Sequence, residues 1–226
     1  MFESLQEALG ISFQDPALLH LALTHRSYIY ETAGEGLFSN ERLEFLGDSI
    51  LAFVSTDFLY RTFPDLSEGE LTDVRAILVR TETLANFAGE IQLGNFMLMG
   101  RGEQHSGGGK RVLASAFEAI VAAIYLDQGL EAVQRFLIHR LEPMAAHIVK
   151  KRLFKDNKSL FQELAQAHKG ITPSYRLVSQ EGPSHNREFT VEVMLGEEVA
   201  GQGHGRNKQT AEQEAARAAL LSHGWI

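Results

Sequence analysis

Three carboxylates in one short segment carry the most chemistry in this sequence. In Asn40-Glu41-Arg42-Leu43-Glu44-Phe45-Leu46-Gly47-Asp48 the acids fall at i, i+3 and i+7. At about 100° per residue these positions share one helical stripe, while Leu43, Leu46 and Ile50 point elsewhere and can face a core. Like charges on one stripe repel, and no cation at i+4 spacing relieves them. Hard anionic oxygens with room for water suit Mg²⁺ or Mn²⁺. The same spacing equally describes an ordinary acidic face turned to solvent. Gly47 costs a helix about 1 kcal/mol against alanine, which marks a close contact or a functional demand. A further carboxylate, Glu118, sits in Leu113-Ala114-Ser115-Ala116-Phe117-Glu118-Ala119-Ile120-Val121, where its neighbours are almost all small or apolar. A carboxylate in that setting is costly unless it meets a cation or a metal. Arg42 and Arg75 are the candidate ion-pair partners.

Other chemistry fits poorly. Gly107 to Lys110 is not a phosphate loop, because Arg111 follows the lysine where serine or threonine is required. The nine histidines show no metalloprotease spacing, and His25 reads as a hydrogen-bonded structural residue. With no cysteine in the chain, disulfides, thiolate metal sites and cysteine nucleophiles are excluded, which suits a reducing, cytoplasmic setting. The start MFESLQEALG lacks the basic-then-apolar order of a secretory signal. The longest apolar run, Ala119 to Leu126, is eight residues, far short of the roughly 20 that cross a membrane.

The elements that must position these acids fall into two textures. Residues 1–150 repeat apolar side chains at three and four spacing, the period of an all-α domain. Leu43 to Leu59 fit one long helix ended by Pro64; Val74 to Leu78 fit a second, opened by a capping box at Ser67; Leu84 to Ala88 fit a third. A polar, glycine-rich loop is expected from about Met99 to Val112. Helices then resume over Leu113–Asp127 and Leu130–Val149. Residues 151–155 read as a basic linker. Residues 156–226 read as a small α+β domain in the order α-β-β-β-α, an antiparallel sheet with helices on one face. Its helices are expected at Lys158–His168 and Thr210–Leu221, and its strands at Pro173–Ser179, Phe189–Leu195 and Val199–Gly203.

Charge argues against a nucleic-acid partner at first sight. The chain carries −8; residues 1–152 hold 13 basic against 20 acidic groups, and residues 153–226 hold 8 against 9. Polyanion binding usually wants a basic surface. Phosphate contacts must then come from local clusters such as Lys150, Lys151, Arg152, Lys155 and Lys158, a run that also reads as a solvated connection.

Taken together, these residues resemble the bacterial ribonuclease III family. Glu41 to Ser49 is similar to its signature, Leu23 to Tyr28 to an upstream motif, Glu68-Gly69 with Leu71-Thr72 and Arg75-Ala76 to a third, and Phe117-Glu118-Ala119 to a fourth. Lys158-Ser159-Leu160, Pro173-Ser174-Tyr175, Glu181-Gly182-Pro183, Gly203-His204-Gly205 and Ala211-Glu212-Gln213 resemble the family's double-stranded-RNA-binding domain. The resemblance implies a homodimeric catalytic domain that hydrolyses phosphodiester bonds of double-stranded RNA with Mg²⁺, Mn²⁺ being a substitute. Products would carry 5′-phosphates and short 3′ overhangs, and ribosomal RNA precursors and other structured transcripts would be substrates. It implies Glu44, Asp48 and Glu118 as metal-site carboxylates, Asp48 and Glu118 as catalytic, Glu41 and Glu68 as supporting acids, and Phe45 as a dimer contact. An ordinary core phenylalanine fits position 45 equally well.

One position departs from the family. An aspartate is usual three residues before the glutamate that Glu118 matches, and Ser115 stands there. One negative charge is lost, so weaker metal affinity is expected; a non-cleaving duplex binder with a decayed metal site is the alternative. For RNA, the resemblance places Gln162, Glu163 and Gln166 on one minor groove, His185 on the next, and Arg206, Asn207 and Lys208 at a helix start, where free N–H groups favour phosphate. Gln209 replaces a second lysine, so modest affinity with a shallow salt dependence is expected.

Overall fold

The stretch Ala119–Ile124 is buried without exception, and a helix apolar on every side must have other helices around it. In the computed structural model, which describes residues 2–32, 38–105, 108–183 and 187–226, that stretch is the middle of helix α8, Gly109–Gln128. Two compact units are distinguished, Met1–His147 and Ile148–Ile226.

The first unit is helical among its described residues. Before α8 come α1 (Glu3–Leu9), α2 (Pro16–Leu23), α3 (Arg26–Thr32), α4 (Glu41–Thr62), α5 (Glu68–Leu78), α6 (Thr81–Glu90), a 3-10 turn at Leu93–Asn95 and α7 (Arg101–His105); α9 (Leu130–Lys150) follows it. Helices α2, α4 and α6 pack on α8, and Phe117 meets the rings of Phe87 and Phe136 at 5.7 Å each. Local signals place the ends. Asp15 caps α2 by accepting from the Ala17 N–H, with Pro16 at the first position. The capping box at Ser67 and Glu70 is formed in full.

The α4–α8 contact is closer than side chains allow. A Cβ added to Gly47 would lie 1.8 Å from the backbone oxygen of Glu118 and 2.5 Å from its carbonyl carbon. Only a hydrogen fits, which is the close contact that a glycine inside an apolar helix implied.

The expected loop at 99–112 is largely helical. Arg101–His105 forms α7, and α8 starts at Gly109 rather than near Leu113. Gly108 takes φ 73°, so the chain turns abruptly and enters the helix before any apolar period begins. Lys110 and Arg111 form an exposed first turn, which needs no apolar pattern. Gly107 lies outside the described residues. Helix α9 also contains Pro143, which the periodicity does not reveal.

The second unit follows the expected order: α10 (Asn157–Lys169), β1 (Ser174–Glu181), β2 (Glu188–Leu195), β3 (Glu198–Gly205) and α11 (Lys208–Ser222). The strands form one antiparallel sheet in the order β1-β2-β3. Leu160, Phe161 and Ala165 of α10, Val191, Val193 and Leu195 of β2, and Ala211, Ala215, Ala219 and Leu220 of α11 make the core. Helix α11 lies on β3 almost backbone to backbone. A Cβ at Gly203 would come 2.1 Å from the Ala215 nitrogen, and one at Gly201 or Gly205 within 2.6 Å of α11 backbone. Glycines at alternate strand positions share a face, and they meet a helix face made of alanines.

Replacing Gly47 by alanine is therefore expected to cost about 3 kcal/mol or more, as backbone-level overpacking. Urea unfolding of the variant checks this; an unchanged midpoint would mean that α4 and α8 separate freely.

Candidate active site

The first turn of α4 is held by buried polar contacts. Asn40, almost fully buried, donates its side-chain amide to the Ala22 carbonyl at 3.0 Å and its backbone N–H to the Thr24 carbonyl at 2.9 Å. Thr24 itself sits in a backbone bridge to Leu98: the His25 N–H donates to Leu98 and the Leu98 N–H to Leu23, each at 2.9 Å. The motif Leu23–Tyr28 thus braces the start of α4. His25 behaves as expected, its Nδ1 within 2.8 Å of the Ser27 hydroxyl. Glu41 and Glu44 then fall in the first turn of α4, where the helix dipole favours negative charge.

Glu118 shows how the acids interact. Its carboxyl is pushed up to about 7, first by burial and then by the charges of Asp48 and Glu44. Those three groups therefore converge, from two helices whose backbones touch at Gly47 and Glu118. No cation lowers the Glu118 value; the Arg75 guanidinium donates instead to the Thr56 hydroxyl at 2.9 Å. Ser115, one turn before Glu118, donates its hydroxyl to Glu44 Oε1 at 2.8 Å.

The other two acids differ from their expected company. Glu41 accepts from the Ser39 hydroxyl at 2.7 Å and lies 3.6 Å from Arg26. The acidic stripe thus does gain a cation, supplied by α3 rather than by its own helix. Glu68 begins α5 and accepts weakly from the Thr72 hydroxyl at 3.3 Å. It lines a separate recess with Thr56, Tyr60, Thr72 and Arg75. No contact among the described residues joins it to Glu44, Asp48 or Glu118.

Beside Ser115 and Glu44 opens a polar recess of about 290 Å³, walled also by His25, Arg26, Glu41 and Arg111. Among the described residues no three acids or histidines close around a point as a complete metal cage. The donor set is nevertheless all oxygen, three carboxyl groups with no cation acting on Glu118. That chemistry fits a hard divalent ion that keeps part of its water shell.

In the second unit, Gln162, Glu163 and Gln166 share the polar face of α10, along a groove that includes Ser159 and Thr172. Gln166 Oε1 accepts from the Thr172 hydroxyl at 3.2 Å. Glu163 is already engaged: Lys155 and Arg152 pair with it and hold its carboxyl below the usual range. Composition flagged this basic run but could not show that part of it is spent internally. Lys158 is likewise 2.7 Å from Glu212 and stacked 4.6 Å over Tyr175. At the start of α11, Asn207 caps the helix by accepting from the Thr210 N–H at 2.8 Å, with Arg206 and Lys208 on either side. His185 lies outside the described residues.

Phe45 is not a core residue. It is 79% exposed on α4, in company with exposed Phe38, Phe53 and Tyr60.

Comparison with known proteins identifies both halves. Residues 15–144 match the family described as ribonuclease-III-like, and residues 157–223 match the double-stranded RNA binding motif. A protein named Ribonuclease 3 from Roseiflexus is 48% identical, over 96% of this chain and 94% of its own length. Its namesake from Oceanobacillus iheyensis is 47% identical, over 96% of each. Among solved structures, the nuclease domain of ribonuclease III from Campylobacter jejuni covers 63% of this chain and 97% of its own at 37% identity, with a TM-score of 0.57. A helical nuclease unit carrying a convergent acidic site, followed by a double-stranded-RNA-binding unit, places the chain in the ribonuclease III family of double-stranded-RNA endoribonucleases.

Proposed function

We propose that Asp48 and Glu118 are the catalytic acids of this endonuclease, and that Glu44, Asp48 and Glu118 together hold a divalent cation. Mg²⁺ is the proposed ion, with Mn²⁺ as a substitute. The observation that carries this reading is the state of Glu118: a half-buried carboxyl pushed up to about 7 beside two other acids, with no cation to offset it. Bound there, a divalent ion neutralises phosphate charge and makes water a better nucleophile. Glu44 and Asp48 would hold that ion from α4, and Glu118 from α8. Because Glu118 holds a proton near neutral pH, proton and cation compete for the same oxygens, and metal affinity rises with pH through about 7. Glu41, tied to Arg26, and Glu68, one recess away, are proposed as outer supports that shape the local field.

The second unit is proposed to hold duplex RNA by its shape. Gln162 and Gln166 offer neutral polar groups to 2′-hydroxyls, Glu163 joins them from within its ion pairs, and His185 follows the turn after β1. Arg206, Asn207 and Lys208 present cations and helix N–H groups to phosphate. The proposed extents are 1–150 for the catalytic domain, 151–155 for the basic linker and 156–226 for the RNA-binding domain. Products with 5′-phosphates and short 3′ overhangs, and a role in processing ribosomal RNA precursors and other structured transcripts in the cytoplasm, belong to the same reading. No described helix is long and apolar enough to cross a membrane. Nothing in the fold or the relatives favours a non-cleaving duplex binder. The Campylobacter domain is described as having a region involved in dimer formation; for this chain we propose a homodimer that covers Phe45.

Three outcomes are expected. The parent cuts a long RNA duplex only when Mg²⁺ or Mn²⁺ is added, and Glu118→Gln abolishes cutting while duplex binding stays within about twofold; binding lost together with cutting would make Glu118 structural. Under chelation, the folded parent binds a proton at Glu118 up to about pH 7, whereas the unfolded chain releases it near 4.5. The parent therefore loses stability as pH rises through that window. Glu118→Gln does not, so its melting temperature gains on the parent's from pH 5 to pH 8; parallel curves would rule out a raised Glu118. Phe45→Ala shifts sedimentation from dimer toward monomer, and an unchanged mass would remove Phe45 from the interface.

A further inference from the structure

We infer that Ser115 is a positioning residue, whose hydroxyl orients the Glu44 carboxylate for metal. The inference rests on the reading of Glu44, Asp48 and Glu118 as ligands of a divalent cation. Ser115 Oγ donates to Glu44 Oε1 at 2.8 Å in a half-buried setting. The geometry behind this bond is rigid. Ser115 stands one turn before Glu118 on α8, and Glu44 one turn before Gly47 on α4. The two helices meet backbone to backbone at Gly47 and Glu118. Neither helix can slide to release the bond without a clash.

The hydroxyl does what an anion at this position could not. An acid at 115 would add negative charge beside Glu44, and the metal itself would have to gather the acids against their repulsion. A hydroxyl adds no charge and donates a proton to the carboxylate. That bond restricts the rotamers open to the Glu44 side chain. One Glu44 oxygen is thereby engaged, and the other is not taken by the Ser115 hydroxyl. Ser115 thus exchanges ligand charge for preorganisation, the role of a group that steers a ligand without touching the ion. The polar recess beside it, about 290 Å³, leaves room for a larger side chain. Conservative substitutions there test the hydroxyl alone.

The experiment compares the full-length parent with Ser115→Ala and Ser115→Thr. Mg²⁺ binding is measured by calorimetry without RNA, cleavage is titrated with Mg²⁺, and melting is recorded without metal. Alanine is expected to weaken Mg²⁺ binding, and to raise the Mg²⁺ needed for half-maximal cleavage, by roughly tenfold. The rate at saturating Mg²⁺ should stay within about twofold. Threonine keeps the donor and should restore parental Mg²⁺ binding. Alanine's better helix propensity offsets part of the lost bond, so the metal-free melting temperature should fall by only a few degrees and the variant should stay fully folded at the assay temperature, which separates positioning from folding. Parental Mg²⁺ binding by Ser115→Ala would overturn the inference, as would a threonine variant no better than alanine. A parent that neither binds Mg²⁺ nor cuts with it would overturn the underlying reading of the site, and this assignment with it.

Discussion

The acidic site depends on one contact in which no side chain intervenes, the touch of the α4 backbone at Gly47 against the α8 backbone at Glu118. Two helices separated by ordinary side chains lie 8–10 Å apart, axis to axis. Removing the side chain on one partner lets them close further. It also sets the rotation and the axial position of each helix, because the fit tolerates no slip. Glu44 and Asp48 flank Gly47, and Ser115 and Glu118 lie on the facing turn of α8. The glycine therefore decides that these four groups look at one another, and its propensity penalty of about 1 kcal/mol is small beside what the crossing determines.

That arrangement is electrostatically unfavourable by itself, and the rest of the unit is arranged to tolerate it. Helix α8 is buried on all sides around Ala119–Ile124, so its position does not depend on how the acids interact. The first turn of α4 is pinned by Asn40 to the carbonyls of Ala22 and Thr24. Glu41 and Glu44 lie at the favourable end of that helix's dipole. Glu41 has its own cation in Arg26. Burial first, and then the unrelieved charges of Asp48 and Glu44, fall on Glu118, whose carboxyl is pushed up to about 7. A neutral donor at position 115 removes one further charge from that balance.

Much of this was legible in residue order, and the parts that were not have a common cause. Period and capping placed α4, α5, α10 and α11, since those signals lie within a few residues of one another. Spacing put Glu41, Glu44 and Asp48 on one stripe, and Gly47 announced a tight contact without naming its partner. Spacing alone could not show that Arg26 crosses from α3 to Glu41, that Glu68 faces a different recess from Glu44, or that Ser115 reaches Glu44. Each of these pairs residues from different elements, and a one-dimensional pattern carries no signal for that. The early start of α8 was missed for a different reason. Lys110 and Arg111 are a polar, exposed turn that no apolar period reveals, and Gly108 enforces the entry through a left-handed backbone.

Pairing between elements also occupies many of the second unit's cations. Lys155, Lys158, Arg176 and Arg217 each stand within ion-pair distance of a glutamate. These pairs range from exposed to partly buried, and they occupy cations that a composition count would assign to phosphate. Arg206 and Lys208, at the start of α11, are left without an ion pair among the described residues. There the helix N-terminus adds its own partial positive charge. On the other helix, α10 offers mainly neutral amides. A surface of that kind suits the wide, shallow minor groove of duplex RNA, where 2′-hydroxyls ask for hydrogen-bonding partners and shape discriminates more than charge. Binding that depends on few phosphate contacts is also weakly screened by salt.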